Sequence, residues 1–381
     1  MVYKITKKKK KMVDIDGLLR EGIRRGASDI HLVNQMKPIF RINRELVESK
    51  ETSEINENDL MEIFGVFSNY NDGVRNAFIR DRKIDLNYEL DDVRFRINVS
   101  FSNQVYVYTI RIIKSELPKF KDLGLPDIVR RLALLPQGLI LITGKSNSGK
   151  TTTLNALVNE INKSENKKIL MLEDPIEYAH KSIKSLIIQK EVGEGRDCES
   201  FGAGAINSLR EDCDILVVGE VRDRLTMDAM LEMAEAGYLV IGTMHTRSCA
   251  ETIDRIVNFY DLSDQRTIKY MMASVLKAVV AQRLVKGKND NLVMSPEIMI
   301  VDDIIRGYIR KEKLSKSELE DAILTSQSKG SLSLIFSLAN LVVTDKITLD
   351  TAKSQIEDKY FEHLENTIFR MRNNMLNWQM L

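Results

Sequence analysis

The chain has 381 residues, room for two or three domains, and its 56 basic and 55 acidic side chains leave a net charge of only +1. That balance creates no global field toward nucleic acid or a membrane, and with aromatic residues at 6% a nucleic-acid partner is not expected. Cys198, Cys213 and Cys249 are widely spaced without CxxC pairing, which argues against a zinc knuckle and fits a reducing, intracellular compartment.

In chain order, the lysines at residues 7–11 read as a basic arm (residues 1–13) with no apolar core behind them to make a signal peptide. Residues 15–25 have helical spacing, and "ASDIHL" then enters a strand. Ile84, Leu86, Tyr88 and Leu90 alternate, as do Val93, Phe95, Ile97 and Val99, and "VYVYTIRII" follows. This period of two predicts an antiparallel meander with one buried face and with Arg94, Arg96 and Asn98 on the other. The small α+β domain covers residues 14–115. A linker rich in proline and glycine follows at 116–127.

From residue 128 to 301, "LILIT", "KILMLED", "DILVVGE" and "YLVIGTMH" alternate with helical segments, which predicts a parallel sheet flanked by helices. Beyond it, residues 302–381 read as helical, and the tail around Trp378 reads as a docking helix. No apolar run reaches the roughly 18 residues that a membrane span needs.

The run "LILITGKSNSGKTTTLNALVNEIN" at residues 139–162 joins a strand to a helix through G-x-x-x-x-G-K-[ST]. Its phosphate-binding candidates are Gly144, Ser146, Asn147, Ser148, Gly149, Lys150, Thr151 and Thr152. Glycines let backbone amides curl around phosphate oxygens, and the helix N-terminus adds its positive end. Lys150 reaches the β- and γ-phosphates, and the Thr151 hydroxyl is a ligand for Mg²⁺. Two acidic clusters, Glu173, Asp174 and Glu177 and then Glu220, end other strands, and His245 ends a third. Strand C-terminal ends share one edge of a parallel sheet, so these groups converge on the phosphates. There a carboxylate can hold Mg²⁺ or polarise an attacking water.

Together "ASDIHL", "RFRIN", "GKSNSGKTTT", "LEDPIEY", "LREDCDILVVGEVRD", "TMHT" and "TIDRIVNFY" resemble the secretion ATPase superfamily, and within it the type IV pilus retraction branch. The resemblance covers residues 14–297. It implies a PAS-like N-terminal domain, a RecA-like P-loop ATPase domain and a helical C-terminal extension, an α/β fold closed into a cytoplasmic homohexamer. It implies ATP and Mg²⁺ as cofactors, Glu177 as catalytic base, Glu220 as the Walker B carboxylate at Mg²⁺, and His245 near the γ-phosphate. Arg96 and Arg111 match arginines that reach the phosphates from the N-terminal domain, and Arg210 is a third candidate. The implied partner is an inner-membrane pilus platform protein at the inner face of the cytoplasmic membrane.

The sequence also departs from that pattern. Lys145, Ser146 and Asn147 replace P-T-G in the loop, and Asn147 suits a left-handed position that glycine usually fills. Tyr238 and Ile206 stand where many relatives carry histidine and arginine, and Asn43-Arg44 replaces an Asp-Gly turn. The short N-terminal region and the absence of a four-cysteine insertion favour retraction. "DIIRGYIRKEK" only loosely matches the branch's C-terminal element, so pilus assembly or secretion stays open as the alternative. A RecA-like nucleic-acid motor is a remote third reading.

Overall fold

The structure is a computed structural model and describes residues 13–42, 45–91, 93–113, 117–193, 196–289, 291–313 and 315–373. The lysine arm at 7–11, the Asn43-Arg44 turn and Trp378 lie outside the described residues. The chain divides into two compact units, Met1–Glu116 and Leu117–Leu381.

The first unit opens with helix α1 (Ile15–Arg24), whose start is fixed by Asp14 accepting from the Gly17 amide at 2.9 Å. Strands β1 (Asp29–Leu32), β2 (Ile39–Ile42) and β3 (Glu45–Glu48) follow, then helices α2 (Glu57–Phe67) and α3 (Asp72–Asp81). The meander β4 (Lys83–Leu90), β5 (Val93–Ser102) and β6 (Val105–Ile113) completes a six-stranded sheet of order β3-β2-β1-β6-β5-β4. Alternation decides which face is buried. Phe95, Ile97 and Val99 are fully covered, while Arg94 and Asn98, which alternate with them, stay exposed. Phe64, Phe78, Phe101 and Tyr106 pack against one another with ring centroids 4.6–5.5 Å apart. The buried Tyr108 hydroxyl donates to the Leu60 carbonyl at 2.8 Å, so its polar end is satisfied.

In the second unit, α4 (Asp127–Leu132) precedes β7 (Gly138–Gly144), α5 (Lys150–Ser164), β8 (Lys168–Glu173) and β9 (Leu186–Glu191). Then come α6 (Phe201–Ser208), β10 (Ile215–Val218), α7 (Arg224–Glu235), β11 (Leu239–Met244), α8 (Cys249–Val257) and α9 (Leu262–Val275). An antiparallel pair, β12 (Leu276–Lys286) and β13 (Leu292–Ile300), completes a seven-stranded sheet of order β13-β12-β7-β11-β10-β8-β9. All neighbours from β12 to β9 run parallel.

Every residue of β7, β10 and β11 is buried, as a sheet covered on both faces requires. Alternate residues serve different cores. Leu139, Leu141, Leu170 and Leu172 face one cluster with α6–α9, while Ile140, Ile142, Ile169 and Met171 face another with α5. Helices α10 (Asp303–Ile309) and α11 (Lys316–Thr325) join the first cluster. Helices α12 (Leu334–Val343), α13 (Leu349–Lys353) and α14 (Phe361–Arg372) join the second. The C-terminal helices thus share the hydrophobic core of the parallel sheet. Among the described residues no helix is long and apolar enough to cross a membrane.

Candidate functional site

The loop between β7 and α5 turns where only special backbone geometry fits. Gly144 has φ +150°, and a Cβ there would meet the Gln282 carbonyl oxygen at 2.6 Å. Asn147 adopts φ +62°, the left-handed conformation for which its side chain suits it. Helix α5 starts at Gly149 with no side-chain cap, so its first amides keep their donors for an anion. Ser146 and Asn147 are exposed, and Thr151 and Thr152 half-buried. Among the described residues the buried Ser148 hydroxyl and Gln282 Oε1 have no hydrogen-bond partner, although Gln282 donates through Nε2 to Thr153 at 2.7 Å. Lys150 folds back over the loop and donates to the Gly144 and Lys145 carbonyls at 2.9 and 3.1 Å. Burial pushes its ammonium below the usual lysine range, and the Glu220 and Glu177 charges pull the other way.

The acidic edge forms where parallel strands end together. Glu173 ends β8, and the exposed Glu177 follows on the loop beyond it. Glu220 follows β10 through Gly219, where a Cβ would meet the Leu172 carbonyl oxygen at 2.8 Å. Only glycine therefore lets that exit pass so close to β8. The turn is pinned to β11, since Val221 N donates to the Thr243 carbonyl at 2.9 Å and Thr243 Oγ1 donates to the Gly219 carbonyl at 2.5 Å. Asp223 then caps α7 by accepting from Thr226 N at 2.8 Å.

His245 follows β11, and its Nε2 lies 3.3 Å from Glu220 Oε1, while Arg222 donates to Glu220 Oε2 at 2.7 Å. Burial alone would raise the Glu220 carboxyl. The bonded Arg222 guanidinium and His245 outweigh it and hold the carboxyl below its usual range. Beside the loop opens a cleft of about 1000 Å³, lined among others by Ser148, His245, Gln282 and Tyr360, with space for the remainder of a nucleotide.

The phosphate loop, Lys150, Thr151, Glu177, Glu220 and His245 are therefore brought to one edge of the second unit. Arg210 is not: it lies in the turn before β10, at the opposite edge of the sheet from Glu220. Arg96 and Arg111 belong to the first unit, where they are direct cross-strand partners on β5 and β6. Arg96 lies 3.5 Å from Asp85, and Arg111 lies 3.1 Å from Asp29. Sequence reasoning missed Arg222 as the partner of Glu220, and Gln282 beneath the loop. "EVRD" held a signal for the first, because a basic side chain two residues past a strand-end carboxylate can turn back onto it.

Among the described residues no group of three or more His, Cys, Asp or Glu side chains could hold a metal ion alone. The Thr151 hydroxyl and Glu220 carboxylate are hard oxygen donors of the kind Mg²⁺ prefers, and phosphate oxygens would complete its shell. The residues fit such an ion.

Comparison with known proteins agrees with this architecture. A family model described as Type II/IV secretion system protein matches residues 5–370. The chain is 34% identical over 351 residues to the type IV pilus retractation ATPase PilT of Pseudomonas aeruginosa, covering 90% of this chain and 98% of that protein. It is 36% identical over 295 residues to a twitching motility protein of Neisseria gonorrhoeae, covering 77% and 78% of the two chains. The crystal structure of the pilus retraction motor PilT with bound ADP superposes with a TM-score of 0.84 at 32% identity, covering 93% of this chain and all of that one. The sheet with its phosphate loop is the RecA-like ATPase fold, and the chain belongs to the Type II/IV secretion system protein family.

Proposed function

We propose that this chain is the ATP-hydrolysing subunit of a motor that drives retraction of a type IV pilus. The observation that carries the reading is one sheet edge holding an uncapped helix N-terminus, Lys150, Glu177, Glu220 and His245 together. Support for the retraction branch comes from the near end-to-end correspondence with PilT.

An arriving triphosphate offers Lys150 charged acceptors in place of the two carbonyls it now bonds. The α5 amides and the amides at 145–149 hold the phosphate oxygens. Glu177 orients the attacking water and takes its proton, the role of a general base in phosphoryl transfer. Thr151 and Glu220 would hold Mg²⁺, whose charge neutralises the phosphate oxygens when bound. Arg222 and His245 keep Glu220 ionised and fixed in orientation, so it is ready as a ligand before nucleotide arrives.

In this reading residues 14–115 form the PAS-like domain, 128–301 the ATPase core and 302–381 the helical extension. Arg96 and Arg111 face each other across β5 and β6, each beside one carboxylate, Asp85 and Asp29. In this reading they exchange those carboxylates for a phosphate and stabilise it as charge develops. Arg210, at the far edge of the sheet, has no part in the site of its own subunit. The assembly is a homohexamer on the cytoplasmic face of the inner membrane, attached peripherally through the pilus platform protein, with no nucleic-acid partner.

The test is a strain lacking this chain, with surface pili counted by electron microscopy. More pili and lost twitching is the expected outcome. A bald surface would make the chain an assembly motor instead.

A further inference from the structure

We propose that Asn155, His180 and Gln189 are positioning residues that lock the segment carrying Glu177 to the phosphate-loop helix. The inference rests on the assignment of Glu177 above, and nothing in the phosphate-loop motif asks for these three side chains.

Asn155 stands one helical turn beyond Thr151 in α5 and is completely buried. Asparagine is a poor helix former and its amide is costly to bury unpaired, so its presence there calls for partners. It has two: Nδ2 donates to the Thr151 carbonyl at 2.9 Å, and Oδ1 lies 2.6 Å from His180 Nε2. Because the amide oxygen can only accept, His180 must donate through Nε2, which fixes its tautomer. Burial pushes the His180 pKa down to about 4, so the ring is neutral at physiological pH as that tautomer requires. Its Nδ1 is then a buried acceptor with no partner among the described residues.

Gln189, on β9, completes the lock from the other side. Its Oε1 accepts from the His180 amide at 2.9 Å, and its Nε2 donates to the Tyr178 carbonyl and to Glu173 Oε1, both at 2.7 Å. The loop is therefore held at residue 173 before Glu177 and at residues 178 and 180 after it. One end of the network grips the backbone of Thr151, next to Lys150 on the same helix. The spacing between the Glu177 carboxylate and the bound phosphates is thus transmitted through the Asn155–His180 bond. A general base displaced by about 1 Å loses most of its effect, whereas phosphate binding depends on the loop amides and Lys150 and survives.

The experiment measures kcat, KM for ATP, nucleotide affinity and thermal melting for His180→Met, His180→Gln and Asn155→Leu in the full chain, with Glu177→Gln as reference. Methionine fills the space without a donor, while glutamine offers an amide donor at the reach of Nε2. We expect His180→Met and Asn155→Leu each to lower kcat about 10–100-fold with KM changed by less than about threefold. His180→Gln should recover most of the loss, and the Met–Leu double variant should be no worse than either single one. Unchanged kcat in His180→Met, or equal losses in the Met and Gln variants, would overturn the positioning role. If Glu177→Gln itself turns over normally, the assignment of the base has failed and not the network alone. Should His180→Met fail to fold, Gln189→Met reads the same lock from β9: a selective loss of kcat supports it, and normal kcat overturns it.

Discussion

The two sheets of this molecule use their strands in opposite ways. In the first unit, β5 alternates between a core face and a polar face, so Arg94, Arg96 and Asn98 sit along the length of a strand. In the second, β7, β10 and β11 are buried throughout, and chemistry is possible only where they end, at Gly144, Glu220 and His245. The cause is coverage: a sheet packed on one side keeps a face for polar groups, while one packed on both sides has only its edges. A candidate functional residue is thus found by periodicity in the first unit and by counting to the strand end in the second.

The largest effect should come at a strand end. Glu177→Gln should lower steady-state phosphate release about 10²–10⁴-fold while a fluorescent ATP analogue still binds, because only the proposed base is removed. Retained turnover would mean that the acidic edge is not the catalytic one.

Next come neighbouring pairs within strands, read by chemical denaturation. Leu141→Ala and Ile142→Ala should each cost about 2–5 kcal/mol, since successive residues of β7 face two different cores. In β5 the same scan should split. Ile97→Ala should cost about as much, and Asn98→Ala, which loses one exposed bond to Asp85, no more than about 1 kcal/mol. Equal costs at Ile97 and Asn98 would break the contrast between the sheets.

A pH prediction concerns the buried end of β8. Burial pushes the Glu173 carboxyl from 4.5 up to about 7, so the folded state favours its protonated form. That contribution is fully present below about pH 4.5 and is lost as pH rises through about 7. Glu173→Gln should therefore gain stability relative to the parent between pH 4.5 and 8, by on the order of 3 kcal/mol. His180 titrates in the opposite sense, its stabilisation being lost as pH falls through about 4. It should leave the variant with a purely acid-side loss. A flat difference across this range would show that Glu173 is ionised in the fold.

The smallest effect is expected on the open face of the first unit. Arg96→Gln removes one of two facing like charges, and melting should shift by less than about 1 kcal/mol in either direction. A large destabilisation would show that the arginine row holds the sheet together and is not kept for an anion.

Much of this was legible in the residues. The meander's alternation, the four apolar runs of the parallel sheet, and the phosphate loop with its strand and helix all appear in the structure where the pattern put them. So does the left-handed turn at Asn147. These features depend on backbone geometry within a few residues, and side-chain size and turn chemistry report that directly. The strand-end rule extended the reading to Glu220 and His245, because parallel strands share an edge whatever their order.

What the sequence could not supply is which distant side chains meet. Arg222 could turn back onto Glu220 or away from it. Arg96 could face any of several residues until the β5–β6 register set it against Arg111. Arg210 reads as a neighbour of the Walker B strand, yet it enters at the end of β10 opposite to the site.

The sequence by itself determined the element types, the phosphate loop and the strand ends that hold the candidate site, since each follows from local periodicity and backbone preference. Only the tertiary structure decided the Glu220–Arg222–His245 contact and the Asn155–His180–Gln189 lock. The physical reason is that these bonds join residues brought together by strand crossovers and packing, to which neighbours along the chain are blind.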